Sequence, residues 1–487
     1  MMELTNWLEK RVRLSPERTA LVFQDRKETF LDIYDAVCEL AGKLASFGVR
    51  DGMSVALLGR NDRDTFLMIH ALQQLGARTV LLNNRLTATE VLFQMQDARV
   101  EWCFYADVFR DKVSDDISSV TFADVMEARV SEVSLVSHFA MERVASIMYT
   151  SGTTGQPKGV MQTFGNHWWS GTGSMLNLGL QTNDSWLCAV PIFHISGLSI
   201  LMRSVIYGIP VYLEERFDAT RVDQFLRSGE VTLISVVTTM AQRLLDVFTT
   251  RYHSNFRCML LGGGPASREM LEACFLNGIP LVQSFGMTET ASQIVTLPPE
   301  EAFLKIGSAG KPLFPAEVRI GEQDEIMLKG PSIMLGYLHN KSATENAFDE
   351  DGWFRTGDVG YLDDNGFLFV LDRRSDLIIS GGENIYPTEV EHVLLEYPEI
   401  KEVAVVAQPD AYWGDVPIAF IVANNMIDTA DLFEFCQEKL AKYKVPRQFH
   451  FLEALPKTAS QKIQRHRLRE IAKKTEQIGH ARFFHLY

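Results

Sequence analysis

The sequence is poor in cysteine, and the six cysteines that it has are far apart. No two of them form the C-x-x-C pair that marks structural zinc sites, and they are too scattered for the disulfide framework of a small secreted domain. Both kinds of site are therefore unexpected. Isolated thiols are typical of proteins from a reducing compartment, and we expect a cytoplasmic protein.

Positive charge is also scarce. The chain has 47 lysines and arginines against 62 aspartates and glutamates, which gives a net charge of -15. Binding to bulk nucleic acid or to an anionic membrane requires a basic surface, so both are disfavoured and any anion must be bound locally. The longest apolar stretch, around residues 195–202, is too short and too interrupted to span a bilayer. We expect no secretory signal, transit peptide or internal repeat.

The length of 487 residues exceeds what one hydrophobic core usually supports, so two or more domains are expected. Helical patterns alternate with short apolar runs, such as residues 55–58 and 79–82, which is typical of an α/β layered fold. A charge cluster at residues 372–376 separates two apolar strands and predicts a domain boundary. We therefore expect an N-terminal domain of residues 1–374 and a small α+β domain of residues 375–487.

The most unusual stretch is residues 149–160, Tyr-Thr-Ser-Gly-Thr-Thr-Gly-Gln-Pro-Lys-Gly-Val. Small and hydroxylated residues with three glycines and one lysine can direct backbone N–H groups, hydroxyls and an ammonium toward one anion. This pattern predicts a phosphate-binding loop, and the apolar residues on both sides predict that it joins strand to strand. It is not a Walker A loop, because Lys158 follows a proline and precedes a glycine. A flexible surface turn is the alternative.

Two further loops follow strand-like segments. The run Gly262-Gly263-Gly264-Pro265 would let the backbone approach a flat ligand, although a tight strand-to-helix turn fits it equally well. The strand-like run through Ser284-Phe285 leads into Gly286-Met287-Thr288-Glu289. The hydroxyl and carboxylate there could hold ribose, phosphate or Mg²⁺. Alternatively, Thr288 and Glu289 only cap a helix.

Three weaker features accompany these loops. His194 lies between apolar residues, where a packed core histidine is more usual than a catalytic one. Asp358 follows Gly357, which suits a carboxylate that binds a vicinal diol, although turn chemistry explains a Gly-Asp pair as well. From residue 439 onward, basic residues face few acids. This asymmetry indicates a phosphate-rich ligand or only a solvated helix face.

The order of these features is more specific than any one of them. Together with Arg373 and Lys462, it resembles the adenylate-forming superfamily of acyl-CoA synthetases, peptide-synthetase adenylation domains and luciferases, over essentially the whole chain. The resemblance implies a large N-terminal domain of two α/β layered subdomains plus a distorted β-barrel, followed by a small mobile α+β domain. It also implies two steps: a carboxylate attacks the α-phosphate of MgATP to give an acyl-AMP and pyrophosphate, and the thiol of coenzyme A then displaces AMP.

The resemblance also assigns roles to individual residues. Glu289, helped by Thr150, would hold Mg²⁺, and Asp358 would bind the ribose hydroxyls with Arg373 nearby. Phe285 stands where relatives often have tyrosine, and it would keep the stacking on adenine without the hydroxyl. The other nucleotide contacts would come from the phosphate loop (Thr150, Ser151, Gly152, Thr153, Thr154, Gly155, Lys158) and from the adenine side (Gly262, Gly263, Gly264, Pro265, Ser284, Phe285, Gly286, Met287, Thr288).

Lys462 would be the main catalytic cation, reaching the α-phosphate and the attacking carboxylate together. The resemblance implies that the small domain rotates between the two steps about a hinge at Ser375, after which Gly381 and Gly382 would face the site. Relatives usually have glycine before the catalytic lysine, whereas this chain has Gln461. We expect this difference to alter the backbone of the loop and to leave the role of the lysine intact.

Within the superfamily, residues 162–167, 191–199 and 371–387 are most similar to the bacterial 2-succinylbenzoate:CoA ligases of menaquinone biosynthesis. His194 would then border the acid pocket and count among the catalytic residues. The second carboxylate of such an acid needs a donor in the pocket, and Arg203 is our candidate.

Two other enzymes remain compatible with the motifs. One is a medium-chain or aryl acid:CoA ligase, and the other is a stand-alone adenylation domain that loads a carrier protein. A non-catalytic relative is disfavoured, because Lys462, Glu289 and Asp358 are all present.

Overall fold

The structure is a computed structural model that describes residues 2–151, 157–264, 266–372, 378–456, 463 and 465–478. The chain divides into two compact units. The first comprises Met1–Asn84, Val91–Thr150 and Lys158–Asp372. The second comprises Arg85–Glu90, Ser151–Pro157 and Arg373–Tyr487. None of the helices in the described ranges is both long enough and apolar enough to cross a membrane.

The helices of the described residues are α1 (Trp7–Leu14), α2 (Phe30–Ser46), α3 (Arg63–Leu75), α4 (Ala88–Asp97), α5 (Phe122–Glu127), α6 (Phe164–Leu178), α7 (Ile195–Tyr207), α8 (Ala219–Ser228), α9 (Thr238–Val247), α10 (Arg268–Asn277), α11 (Pro299–Ala302), α12 (Lys341–Ala347), α13 (Pro387–Leu395), α14 (Thr429–Lys439) and α15 (Arg465–Ile478). Short 3₁₀ turns occupy Asp107–Lys112, Thr288–Thr290 and Glu322–Asp324.

The strands are β1 (Glu3–Thr5), β2 (Thr19–Phe23), β3 (Arg26–Thr29), β4 (Ser54–Leu58), β5 (Arg78–Leu81), β6 (Trp102–Tyr105), β7 (Ser119–Thr121), β8 (His138–Ala140), β9 (Val144–Ser151), β10 (Pro157–Thr163), β11 (Trp186–Cys188), β12 (Val211–Leu213), β13 (Leu233–Val237), β14 (Cys258–Gly262), β15 (Leu281–Met287), β16 (Ser292–Leu297), β17 (Lys311–Pro312), β18 (Glu317–Ile320), β19 (Glu325–Lys329), β20 (Gly336–Tyr337), β21 (Phe354–Leu362), β22 (Leu368–Asp372), β23 (Ile378–Ser380), β24 (Glu383–Ile385), β25 (Ile400–Asp410), β26 (Gly414–Ala423) and β27 (Phe449–Phe451).

Seven strands form the first large sheet, in the order β20-β10-β9-β5-β4-β6-β7. The pairs among β9, β5, β4, β6 and β7 are parallel, and β20 adds to β10 in the antiparallel sense. All five residues of β4 are buried, as expected for a parallel strand covered on both faces. The predicted apolar runs therefore correspond to β4 and β5.

Nine strands form the second large sheet, in the order β17-β16-β15-β14-β13-β11-β12-β2-β3. The strands from β15 to β2 are parallel, and antiparallel strands flank them at both edges. One apolar cluster contains residues of both large sheets and of α2, α3 and α7, including Leu57, Phe104 and Ile234. These layers confirm the two α/β subdomains. They also place the carboxyl ends of β14 and β15 side by side, where α/β sheets usually bind ligands.

A smaller antiparallel sheet of β18, β19, β21 and β22 follows, and it corresponds to the expected distorted barrel. A hairpin joins β21 to β22: Leu362 pairs with Leu368 across a turn in which Gly366 N donates to Asp363 O. A separate apolar cluster lies beneath this sheet and includes Ile326, Leu328 and Phe354.

The second unit contains a five-stranded sheet of β23 to β27 with α13, α14 and α15. Its core is apolar, but Lys444 is buried there and its Nζ donates to Glu389 at 2.7 Å. The same ammonium donates at 2.8 Å to Glu90, which belongs to the Arg85–Glu90 segment of this unit. This arrangement is the predicted small α+β module. The hinge residue, Ser375, lies outside the described residues.

Candidate active site

The phosphate loop joins two neighbouring strands, β9 and β10, so the predicted strand-to-strand connection is confirmed. Thr150 is half-buried on β9, and Ser151 ends that strand. Lys158 is half-buried on β10 at the other side of the loop. The four loop residues Gly152, Thr153, Thr154 and Gly155 lie outside the described residues, and their contacts with phosphate remain predictions.

The start of this loop is held by a partly buried hydrogen bond. The hydroxyl of Tyr149 donates to Asp97 Oδ2 at 2.6 Å. Burial, with the adjacent carboxylate second, raises the pKa of Tyr149 well above its ordinary value, so the phenol remains a donor. Tyr149 thus anchors β9 one residue before Thr150.

The loop between β15 and β16 carries the candidate metal ligand. A Cβ on Gly286 would lie 2.1 Å from the carbonyl oxygen of Ser292, so only glycine allows these strands to approach so closely. The turn Thr288–Thr290 follows, in which Thr290 Oγ1 accepts from Met287 N at 2.9 Å. The sequence is compatible with a helix cap at Thr288 and Glu289, whereas the structure has a single 3₁₀ turn there.

Glu289 is fixed by both its backbone and its side chain. Its carbonyl accepts from Met334 N at 2.7 Å, and its Oε1 accepts from the Tyr337 hydroxyl at 3.1 Å. The ring centroid of Tyr337 lies 5.1 Å from the ammonium of Lys158. The structure therefore brings together the lysine that closes the phosphate loop and the predicted magnesium ligand.

The residues present fit a magnesium nucleotide. The described part of the chain contains no group of three or more His, Cys, Asp or Glu side chains placed to hold a metal ion. Mg²⁺ is usually bound through one or two carboxylates plus substrate phosphates rather than by an all-protein cage. A single positioned carboxylate, Glu289, on the same aromatic side chain as Lys158 is suited to that mode of binding.

The predicted adenine slot is assembled at the ends of β14 and β15. Ser284 Oγ donates to Leu261 O at 2.9 Å, and a Cβ on Gly262 would lie 3.6 Å from the same hydroxyl. Gly263 has a φ of 80°, a left-handed conformation that favours glycine. The glycine run and Ser284 are thus adjacent, whereas Pro265 lies outside the described residues.

Phe285 occupies a different environment. Successive side chains of a strand point to opposite faces, and Phe285 packs in the apolar cluster that also contains Val160 and Ile294. Only 6% of Phe285 is exposed. The geometry favours Ser284 and the glycine backbone as the lining of the slot, and stacking of adenine on Phe285 remains a prediction.

Asp358 lies on β21 between two irregularities of strand pairing. The register shifts between Glu325 and Met327 on β19, and again between Val359 and Gly360 on β21. Such shifts commonly re-aim a side chain near a functional site. Asp358 is 8% exposed, and its N–H donates to Thr356 Oγ1 at 3.0 Å. Its predicted partner Arg373 lies outside the described residues.

His194 occupies the N-cap position of α7 and is half-buried. Its carbonyl accepts from the N–H groups of Gly197 and Leu198, both at 3.0 Å, and its ring packs edge-on against Phe193 with centroids 4.7 Å apart. The sequence context indicated a core histidine or an active-site one. The half-exposed ring at the start of α7 is compatible with a pocket boundary.

Arg203 lies on α7 about two turns after Ile195 and on the same face of the helix as Ile195. Only 1% of Arg203 is exposed. Its Nη2 donates to Ser170 Oγ at 3.3 Å and its Nη1 to Gln293 Oε1 at 3.5 Å. Its guanidinium lies 5.4 Å from the centroid of the Trp186 ring. Its Nε has no hydrogen-bond partner among the described residues.

These contacts leave Arg203 as a buried cation whose described partners are all neutral. Burial lowers the pKa of Arg203 from its ordinary value, and the nearby His167, which is also buried, has a pKa lowered by burial and by Arg203 to about 4. Buried charges are normally paired, because an unpaired charge in a protein interior is strongly unfavourable. This environment is electrostatically prepared for an anion.

A strained segment beside this cation is not predicted by the sequence. Ala291 and Ser292 have φ values of 53° and 105°, a region that residues with a Cβ rarely adopt. Ser170 Oγ donates to Ala291 O at 2.6 Å, and Ser199 Oγ donates to Ser292 Oγ at 3.3 Å. Strained backbone of this kind clusters at ligand sites. No residue pattern announces it, because Ala-Ser has no turn signature.

In the second unit, Gly381 and Gly382 form the turn between β23 and β24, with φ values of 55° and 84°. Gly381 N donates to Trp413 O at 2.7 Å. Lys462 lies outside the described residues. Its catalytic role therefore stays a prediction, as does the hinge at Ser375.

Two regions of the chain match the sequence patterns of known families. Residues 8–338 match the AMP-binding enzymes, and residues 389–462 match the AMP-binding enzyme C-terminal domain. The chain is also similar to the 2-succinylbenzoate--CoA ligase of Listeria monocytogenes serovar 1/2a. The two are 62% identical over 467 residues, which cover 96% of this chain and 99% of that protein.

Solved structures of o-succinylbenzoate CoA synthetase from Bacillus subtilis are similar as well. A double mutant bound with its product analogue OSB-NCoA has a TM-score of 0.93 at 46% identity, covering 96% of this chain and 98% of that one. The complex with the acyl-adenylate intermediate OSB-AMP has a TM-score of 0.76 at 45% identity and covers 100% of both chains. The complex with ATP and magnesium ion has the same TM-score and identity, with coverage of 96% and 100%.

Proposed function

This chain belongs to the family of AMP-binding enzymes, and we propose that it joins 2-succinylbenzoate to coenzyme A in menaquinone biosynthesis. It is an AMP-forming acid:CoA ligase that uses ATP and Mg²⁺. The acid becomes an acyl-AMP with release of pyrophosphate, and the thiol of coenzyme A then displaces AMP to give the thioester. The similarity to 2-succinylbenzoate--CoA ligases over nearly the whole chain supports the choice of acid.

The first step brings two anions together while negative charge develops on the phosphates. Such a step needs fixed dipoles and cations more than acid–base groups. Lys158 and the N–H groups of the phosphate loop supply them on one side, and Lys462 would supply the main cation. Magnesium, when bound at Glu289, neutralises phosphate charge. Asp358 would orient the ribose, and Gly262 with Ser284 would seat the adenine.

One observation carries the choice of a dicarboxylic acid: Arg203 is buried and has only neutral described partners. We propose that it binds the ring carboxylate of 2-succinylbenzoate, while the succinyl carboxylate is activated. His194 would border the same pocket from the start of α7, and Ser199 and Ser292 would add neutral polar contacts.

The second step requires a different set of residues around the acyl-AMP. We propose that residues 1–374 and 375–487 act as two domains, and that the smaller one turns about Ser375 between the steps. Gly381 and Gly382 would then border the path of coenzyme A.

We also propose a cytoplasmic location. All six cysteines are free thiols, as expected for a reducing compartment. The partners in this proposal are small molecules: ATP, coenzyme A and the aromatic acid.

Pyrophosphate release in the presence of each candidate acid tests the proposed function. Wild type should respond to 2-succinylbenzoate far more than to benzoate, coumarate or octanoate, and free coenzyme A should accept the acyl group. A response to octanoate alone, or transfer only to a carrier protein, would favour the other enzymes.

Replacing the predicted catalytic cation separates the two steps. Lys462→Ala should still bind ATP but lose adenylation by about 100-fold or more, the usual scale for removing one transition-state donor. Transfer from preformed acyl-AMP to coenzyme A should survive. Lys442→Ala, which removes an exposed lysine of the same unit, is the control. Equal loss in both steps would contradict the assigned role.

A further inference from the structure

Tyr337 lies between two groups of opposite charge in the nucleotide site. Its hydroxyl donates to Glu289 Oε1 at 3.1 Å, and its ring face lies 5.1 Å from Lys158 Nζ. A cation within about 6 Å of an aromatic centroid is attracted by the electron-rich face of the ring. One side chain therefore contacts both the candidate metal ligand and the lysine that closes the phosphate loop.

The two charged groups contact different parts of this side chain, Lys158 the ring and Glu289 the hydroxyl. Among the ion pairs of the described residues, Lys158 has no carboxylate partner. A lysine and a glutamate this close to a shared ring would otherwise be free to form a salt bridge. Such a bridge would occupy the ammonium needed for phosphate and the carboxylate needed for magnesium.

The backbone holds Tyr337 in place independently of its side chain. Tyr337 pairs with Val160 across β10 and β20, and Leu338 N donates to Gly159 O at 2.7 Å. Tyr337 N also donates to Thr344 Oγ1 at 2.9 Å. The phenol is thus built on the strand next to the phosphate loop, and a change of its side chain leaves these bonds intact.

We propose that Tyr337 is a positioning residue that keeps Lys158 and Glu289 apart and orients the Glu289 carboxylate for magnesium. The hydroxyl donates to Oε1 and so fixes the orientation of the carboxylate. The ring separates ammonium from carboxylate and gives the ammonium a neutral partner until phosphate arrives. This inference rests on the proposed function, because it takes Glu289 as the magnesium ligand.

Two substitutions separate the two tasks of this side chain. Tyr337→Phe keeps the ring and removes the hydroxyl, whereas Tyr337→Leu removes both. Tyr361→Phe is the matched control, because it removes a phenol hydroxyl from a half-exposed ring that stacks on Phe369 in another sheet. Affinity is measured directly, with calorimetry for ATP in the presence of EDTA and electron paramagnetic resonance for Mn²⁺ binding to the protein–ATP complex.

We expect Tyr337→Phe to weaken Mn²⁺ binding by about tenfold, the lower end of the range for loss of a group that orients a metal ligand. Its affinity for metal-free ATP should stay within about twofold of wild type. Tyr337→Leu should weaken both, because Lys158 and Glu289 can then pair. In a Glu289→Gln background, Tyr337→Phe should have little further effect on Mn²⁺ binding, since the two residues act through one contact.

Unchanged Mn²⁺ affinity in Tyr337→Phe would overturn the proposal. Equal loss of metal-free ATP and of Mn²⁺ binding in Tyr337→Phe would also overturn it, because that result indicates general damage to the site. Pyrophosphate release by wild type is measured separately. If wild type binds Mn²⁺ and ATP but adenylates no acid, the proposed function fails while the test of Tyr337 still stands.

Discussion

The nucleotide side and the acid side of the first unit handle charge in opposite ways. At the ends of β14 and β15 the site consists of glycine backbone and the neutral hydroxyl of Ser284, and its charged groups, Lys158 and Glu289, are half-buried. Around α7 the main feature is one fully buried cation, Arg203, with neutral neighbours. Charge stays near water in the first region and is deeply desolvated in the second.

This difference indicates what each region contributes. ATP brings its own charge and its own metal, so the protein needs only dipoles, one carboxylate and mobile cations. The acid brings a carboxylate that must be recognised inside the protein. There a preformed cation gives selectivity, because an uncharged analogue would leave the cation unpaired.

The largest expected effect comes from the nucleotide side. Glu289→Gln removes the charge that holds magnesium and keeps the size of the side chain. Adenylation should fall by about 100-fold or more, because phosphate charge is then poorly neutralised. Metal-free ATP should bind almost as in wild type by calorimetry. Recovery of the wild-type rate at modest magnesium concentrations would contradict the role of this carboxylate.

On the acid side, Arg203→Met removes the buried charge with little change in volume. The KM for 2-succinylbenzoate should rise by roughly 30-fold, about 2 kcal/mol, since a buried charge-assisted contact is lost. The KM for ATP should change by less than about twofold. Thermal unfolding should occur at the same or a higher temperature, because a poorly compensated buried charge is gone.

Arg257→Met is the matched control for stability. Arg257 is paired at 2.5 Å with Asp184, whose side chain is fully buried. Removing this arginine leaves an uncompensated carboxylate and should destabilise the protein by about 3–5 kcal/mol. If Arg203→Met destabilises as strongly as Arg257→Met, then Arg203 is a structural cation and the comparison between the two regions is wrong. An equal rise in KM for ATP and acid in Arg203→Met would also contradict the proposal.

The smallest expected effect is a loss of folding stability at low pH. His70 and His167 are buried, and burial lowers the pKa of each to about 4, with Gln73 opposing the shift at His70 and Arg203 adding to it at His167. An unfolded histidine has a pKa near 6.5, so stability is complete above that pH and is lost as the pH falls toward 4. Lowering the pH from 7 to 5.5 should cost about 1 kcal/mol for each histidine.

Urea unfolding at the two pH values measures this loss. His70→Gln should reduce the pH dependence by about half. Arg203→Met should raise the pKa of His167 and so make the protein less sensitive to acid. An unchanged slope in His70→Gln would show that other groups dominate.

Much of the nucleotide side could be predicted from the sequence because its parts are local. Glycine runs, a strand-to-strand phosphate loop and the residues around Glu289 each lie within a short segment, and their order is characteristic of the superfamily. The hairpin between β21 and β22 likewise has characteristic turn residues within one short segment. In each case the residues that form the site or turn are neighbours in the chain, so the sequence pattern alone predicts them.

The rest depends on contacts between distant segments. Tyr337 meets Glu289 and Lys158 because β20 pairs with β10. The strained Ala291 and Ser292 accept hydrogen bonds from Ser170 on α6 and Ser199 on α7. Phe285 is a residue for which the sequence pattern and the structure differ. Its position in the sequence predicts an adenine contact, while the alternation of side chains along β15 directs its ring into a core. Arg203 could be nominated from the sequence, but its neutral surroundings could not.

The role of Arg203 is tested most directly with two acids that differ only in the ring carboxylate: 2-succinylbenzoate and 4-oxo-4-phenylbutanoate. We predict that kcat/KM for pyrophosphate release by wild type is at least about 100-fold higher with the dicarboxylic acid, and that Arg203→Met removes most of this preference. Equal use of both acids by wild type, or a preference that survives in Arg203→Met, would contradict the account.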